Sequence, residues 1–189
     1  MENTFFATLF RMKYISRWGL MRCNFGENLS EHSLEVAFLA HALALIGNQV
    51  FGKAYDCGAV CVKAMYHDAP EILTGDLPTP VKYYNVETKK AYDIVEEAAK
   101  ARFAQSLPAE LRDGYADIFR YTEDEKRLIK AADKLAALLK CKTELDSGNR
   151  EFAPAMASVE ATLKEMGMEE VEYFLDRFYA AFSLPLDLI

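Results

Sequence analysis

Three observations predict an all-α fold for this chain, a single-domain helical bundle over residues 1–189. Apolar residues recur at helical rather than alternating spacing, N-capping signatures open the segments, and only 9 Gly and 6 Pro interrupt 189 residues. Phe5, Leu9, Met12 and Ile15 space like one face of a first helix. Asn28 or Ser30 is a cap for a second helix, which contains Leu34, Ala37, Phe38 and Leu45 and which Gly47 is expected to stop. Asp56 starts a third, running toward His67-Asp68. Residues 73–80, with Gly75, Pro78 and Pro80, read as a loop of restricted flexibility. A helix with Ile94, Ala98, Ala101 and Ala104 apolar follows and ends before Pro108. Thr122 and Glu125 have capping-box spacing and open a long helix with Leu128, Ile129, Ala132, Leu135, Ala136 and Leu139 inward, closed by Gly148. Stretches near 152–166 and 168–182 complete the bundle. No repeat, low-complexity tract or linker divides it.

Composition narrows the function classes. At 51% hydrophobic and 12% aromatic, the chain has the makeup of a folded domain. A net charge of −7 argues against gripping a nucleic-acid polymer, which needs a basic stripe. The first 22 residues are the exception, since Arg11, Lys13, Arg17 and Arg22 face only Glu2, and they suit a small anionic ligand. No unbroken apolar run reaches the roughly 18 residues of a membrane span, and the N-terminus lacks a signal-peptide pattern. Cys23, Cys57, Cys61 and Cys141 show no zinc-type pairing and read as reduced thiols of a cytoplasmic protein.

With only three histidines, their placement is informative. His32 opens the second helix, and His67 is followed by Asp68 where the third closes. Adjacent helical residues point about 100° apart, so a His-Asp pair converges on one ion most easily at a helix end. Imidazole and carboxylate suit divalent Mn, Fe, Co, Ni or Zn. The dipeptide alone fits a capped helix end with a packed imidazole better than it fits a metal site. Asp133, on an apolar face with Ile129, Ala136 and Ala137, needs either a metal or a salt bridge to Lys130 or Lys134. His41 lies half a turn away from His32 and reads as a surface or packing residue. Trp18 fits a core position or a ligand platform. Tyr173, Phe174, Phe178 and Tyr179 fit packing or a dimer face.

Together these pieces resemble the HD-domain metallohydrolases, whose pattern is His … His-Asp … Asp. Leu9-Phe-Arg-Met-Lys-Tyr-Ile-Ser-Arg-Trp18, Asn28-Leu-Ser-Glu-His-Ser33, Met65-Tyr-His-Asp-Ala-Pro-Glu-Ile-Leu-Thr-Gly-Asp-Leu-Pro-Thr-Pro-Val-Lys-Tyr83 and Lys130-Ala-Ala-Asp133 narrow the resemblance to the bacterial 5′-deoxynucleotidases. The likeness spans roughly residues 5–180, while 84–121 and the last 40 residues carry no motif. It implies an HD-type bundle with His32, His67, Asp68 and Asp133 as ligands of one divalent transition metal per chain, such as Co or Mn. It further implies Glu71 as catalytic carboxylate and Arg17 as the group orienting the phosphate. Substrate contacts are implied for Arg17, Trp18, His32, Asp68, Asp76, Leu77, Pro78 and Thr79, with Trp18 and Asp76 excluding a ribose 2′-hydroxyl. The implied substrates are deoxyribonucleoside 5′-monophosphates and the implied assembly is a homodimer. Physically, an always-charged, forked Arg17 suits a phosphomonoester. Glu71, three residues after Asp68, is placed to take or give a proton unless it is a solvated helix-end glutamate. The rival readings are another HD chemistry, a triphosphohydrolase or cyclic-nucleotide phosphodiesterase, and a catalytically silent nucleotide-binding bundle.

Overall fold

The computed structural model describes residues 3–82, 84–115 and 117–189, with only the backbone of Thr79. Tyr83, the last residue of the 65–83 motif, and the Thr79 side chain expected at substrate lie outside that description, as does Glu2. Among the described residues no strand forms, and ten α-helices do: α1 Phe5–Leu9, α2 Leu29–Phe51, α3 Cys57–Tyr66, α4 Glu71–Thr74, α5 Thr79–Lys82, α6 Val86–Gln105, α7 Ala109–Tyr115, α8 Glu123–Asp146, α9 Ala153–Met166 and α10 Glu169–Phe178. The expected all-α architecture is what the chain adopts.

The caps follow the sequence. Asn28 Oδ1 accepts from the Ser30 and Glu31 N–H groups at 3.0 and 3.1 Å, and the Asn28 N–H donates to Glu31 Oε2 at 3.0 Å. Reciprocal bonds thus satisfy the orphan donors of the first turn. Thr122 and Glu125 do the same for α8, at 3.2 and 2.7 Å. Gly148, with φ of 88°, follows the end of α8.

Four local expectations fail for identifiable reasons. Gly47 does not stop α2, which continues to Phe51, and Gly52 with φ of 66° follows its end instead. Gly47 is glycine because the Tyr55 ring approaches to 2.5 Å of where a β-carbon would stand. The apolar face of α6 is not Ile94, Ala98, Ala101 and Ala104, which are exposed, Ile94 at 71%. Tyr92, Ala99 and Phe103, on the opposite face with two large rings to bury, take the interior. The first helix breaks after Leu9 into a 3-10 turn, Phe10–Tyr14. Residues 73–80 are not loop throughout, since α4 runs to Thr74 and α5 starts at Thr79, with Pro80 in its first turn, where proline is tolerated.

Helix α2 also departs from the reading of apolar runs. Interrupted by Glu31 and Glu35, it is nevertheless long and apolar enough to cross a membrane by length and composition. Leu29, His32, Val36, Ala37, Ala40, Leu43 and Ala44 along it are fully buried inside the protein, as in the core helix of a globular fold.

The helices group into two compact units, each assembled from separate chain segments. The first comprises Met1–Arg22, Gly26–Ser33 and Tyr66–Tyr121. Its core is Phe5, Met12, Leu29, Ala69, Phe103 and Leu107, with Phe5 edge-on to Phe103 at 5.6 Å between ring centres. Burying such a ring stabilises by roughly 1.5–3 kcal/mol. Here α4 and α5 pack on α6, which holds the 66–82 segment in place. The second unit comprises Cys23–Phe25, Leu34–Met65 and Thr122–Ile189. It is built on α8 against α9, with Leu128, Leu135, Leu138, Cys141 and Phe152 buried. Glu170 is buried there and accepts from the Tyr55 hydroxyl at 3.0 Å, with Lys53 Nζ at 3.3 Å.

Candidate active site

Three short pieces of the first unit build the site. Ile15–Arg17 runs antiparallel to Glu27–Leu29, the Arg17 N–H donating to the Glu27 carbonyl at 3.0 Å and the Leu29 N–H to the Ile15 carbonyl at 2.9 Å. That pairing sets Arg17 and Trp18 beside the start of α2, whose first turn carries His32. The third piece is the turn between α3 and α4. Helix α3 ends at Tyr66, so His67 and Asp68 fall just past its last residue, as the helix-end argument expects. The Glu71 N–H then donates to the Asp68 carbonyl at 2.9 Å and the chain enters α4.

These pieces bring His32, His67 and Asp68 together, with one ligand-type atom from each lying within 4.8 Å of the others. Asp68 Oδ2 is 3.4 Å from His32 Nε2 and 3.1 Å from His67 Nε2, and the imidazole centres are 5.5 Å apart. Arg17 Nη1 approaches the same oxygen to 3.6 Å. Burial works against ionisation of Asp68, but the His67 charge and hydrogen bonds from His32 and His67 outweigh it and hold the carboxyl well below its usual range. Two imidazole nitrogens and an ionised carboxylate form the donor set that binds a divalent transition metal, so the residues fit such an ion.

Glu71 is buried beside this cluster. Its Oε1 accepts from the Tyr92 hydroxyl at 3.4 Å, with Lys82 Nζ at 3.9 Å, while Oε2 is buried and has no hydrogen-bond partner among the described residues. Burial first, then the charges of Asp68 and Asp76, push its carboxyl up to about 9, so the group carries its proton at neutral pH. Asp76 is half-buried after the Gly75 turn, and burial, more than the Asp68 and Glu27 charges, raises it against the pull of Arg17 and His32. Leu77 and Pro78 are half-buried next to it, the Pro78 carbonyl accepting from the Val81 N–H at 2.8 Å. Trp18 has φ of 58°, a left-handed conformation rare for a bulky side chain.

Asp133 belongs to the second unit, on α8, where Lys134 Nζ lies 2.8 Å from its Oδ2. His41 is exposed, as expected. Sequence reasoning missed three participants: Glu27, Lys82 and Tyr92. Lys82 sits inside the 65–83 motif without having drawn notice. Tyr92 was detectable as an aromatic in a largely polar stretch. Glu27 was detectable only as a carboxylate just ahead of the cap that leads to His32.

A family model of YfbR-like 5′-deoxynucleotidases matches residues 4–182. The chain is 49% identical over its full length to the 5′-deoxynucleotidase of Vibrio vulnificus, covering 98% of that protein. It is 48% identical to the 5′-deoxynucleotidase YfbR of Shigella boydii, again over its full length and 96% of the relative. Among solved structures, an HD-domain phosphohydrolase from Listeria innocua is similar with a TM-score of 0.82 at 25% identity, over 95% of this chain and 88% of that one. The cyanophage S-2L HD phosphohydrolase DatZ, bound to dA and one catalytic Zn2+, shares the fold with a TM-score of 0.70 at 23% identity, over 94% of this chain and 97% of that one. With His32, His67 and Asp68 converging in the first unit and the family match spanning nearly the whole sequence, the chain belongs to the YfbR-like 5′-deoxynucleotidases, an HD-domain phosphohydrolase family.

Proposed function

We infer that this protein is a metal-dependent 5′-deoxynucleotidase, hydrolysing deoxyribonucleoside 5′-monophosphates to deoxyribonucleosides and inorganic phosphate. The observation that carries the reading is the meeting of His32, His67 and Asp68 at one point with Arg17 beside it. His32, His67 and Asp68, completed by Asp133, are the ligands we assign to one divalent metal per chain, Co or Mn being suitable. Such an ion, when bound, polarises the phosphoryl group and lowers the pKa of water.

The chain's own residues do the rest. Arg17 is always charged and forked, and clamps phosphate oxygens as charge spreads over them. Glu71, holding its proton against Tyr92 and Lys82, is suited to donate to the leaving 5′-oxygen. Trp18 walls the deoxyribose, and Asp76, Leu77, Pro78 and Thr79 close the pocket where a 2′-hydroxyl would stand. His32 and Asp68 face both metal and substrate. Residues 1–189 work as one HD phosphohydrolase domain in the cytoplasm, as a homodimer, without a nucleic-acid or membrane partner. The exposed side of α2 carrying Leu34, Phe38 and Leu45 is an apolar face that a second copy would cover.

Phosphate release from dAMP and AMP, each with and without EDTA and with Mn or Co restored, tests the reading. The expected result is EDTA-sensitive turnover of dAMP that the metals restore. Turnover indifferent to EDTA would overturn the metal assignment.

A further inference from the structure

The carboxylate of Glu27 serves three partners at once. Its Oε2 accepts from the Trp18 indole N–H at 2.6 Å, and its Oε1 lies 3.3 Å from His32 Nδ1 and 3.4 Å from Arg17 Nε. The side chain is 9% exposed, and that of His32 is fully buried.

The orientation of His32 makes this arrangement consequential. Its Nε2 is the nitrogen that faces Asp68, at 3.4 Å, while Nδ1 faces Glu27. A carboxylate at Nδ1 fixes that nitrogen as the donor toward Glu27 and turns Nε2, which faces Asp68 here, toward the position a metal would take. The same carboxylate anchors an indole whose backbone sits at φ of 58°, a conformation that persists only where its surroundings fix it.

We propose that Glu27 is a positioning residue that orients the metal-ligating face of His32 and the Trp18 wall through one shared carboxylate, so that metal affinity and the placement of Trp18 rise and fall together. It touches neither metal nor substrate in this role, and the proposal rests on reading His32 as a metal ligand.

Trp18 is the only tryptophan, so its fluorescence reports one position. The test measures Co affinity of the metal-stripped full-length protein by chelator competition, and Trp18 emission, in the parent, Glu27→Gln and His32→Ala. Glu27→Gln is expected to weaken Co binding 10- to 100-fold, the usual scale for losing a ligand's supporting carboxylate, and to shift Trp18 emission. Co binding within twofold of the parent, or a change in only one of the two readouts, overturns the shared role. If His32→Ala binds Co as tightly as the parent, the ligand assignment itself fails and the proposal with it. Should Glu27→Gln lose helicity by circular dichroism, Glu27→Asp keeps the charge but withdraws it by one methylene. It must then show both changes at smaller size, and parent-like values would overturn the proposal.

Discussion

His32 Nε2 and Asp68 Oδ2 lie 3.4 Å apart, although 36 positions separate the two residues in sequence and they sit on different elements. One belongs to the first turn of a long helix and the other to the turn that follows α3. Their meeting defines the centre from which the following expectations are drawn.

Removing His67 or Asp68 from that centre should abolish metal and catalysis together. His67→Ala and Asp68→Ala are expected to lose bound metal by elemental analysis and phosphate release in parallel, against one equivalent per chain in the parent. Two equivalents in the active parent would refute the single-ion site.

Glu71→Ala should separate binding from turnover. Metal content and dAMP affinity are expected to persist while kcat falls by about 10²–10⁴, the usual worth of a positioned proton donor. A kcat near that of the parent would remove Glu71 from the chemistry.

The sugar pocket yields a comparison within each variant. Forcing in a 2′-hydroxyl without a partner costs about 1–3 kcal/mol, so dAMP should exceed AMP in kcat/KM by roughly 10- to 100-fold. Asp76→Ala should narrow that ratio, whereas Arg17→Ala should depress both substrates alike because phosphate is the only part of the substrate it meets. Equal kcat/KM for the two nucleotides in the parent would leave a general nucleotidase.

Acid sensitivity should centre on Glu144 in the second unit. This fully buried carboxylate accepts from Lys140 Nζ at 2.6 Å, from Asn149 Nδ2 at 2.9 Å, and from the Asn24 and Phe25 N–H groups at 2.9 and 3.0 Å. Burial opposes ionisation, yet these donors, Lys140 foremost, hold its pKa at about 2 against 4.5. A folded-state pKa below the unfolded one stabilises the protein above the unfolded value, and that contribution is lost as pH falls toward 2. Urea midpoints should therefore decline between pH 5 and pH 2 in the parent, and less steeply in Glu144→Gln. Glu144→Ala should cost about 3 kcal/mol at pH 7, since it strands Lys140 and two backbone donors.

How much of this was legible in the sequence depended on the range of the interaction. The cap of α2 and the capping box at Thr122 are local chemistry within four residues; the box forms as read, and of the two cap candidates, Asn28 and Ser30, Asn28 takes the role. The placing of His67 and Asp68 at a helix end needed only the breaker Pro70 and Gly75 beyond. The buried face of α6 was misread because Ile94, Ala98 and Ala101 and the Tyr92, Ala99, Phe103 set both have helical spacing, and only the tertiary partner decides between them. Gly47 was misread for the same kind of reason, since nothing local announces that the Tyr55 ring will lie against it. Glu27 escaped because its three partners lie up to ten residues away along the chain and only the backbone pairing of Ile15–Arg17 with Glu27–Leu29 assembles them.

The contact between Gly47 and Tyr55 also limits how this protein can be improved. Replacing a glycine inside a helix by alanine is an ordinary way to gain about 1 kcal/mol of stability. At position 47 the added methyl would strike the Tyr55 ring, whose hydroxyl is committed to the buried Glu170. Gly114, in α7, has nothing among the described residues within 4 Å of an added methyl. Selection for thermal tolerance should therefore accept alanine at 114 and repeatedly reject it at 47, so α2 keeps a weak link that adaptation cannot repair one substitution at a time.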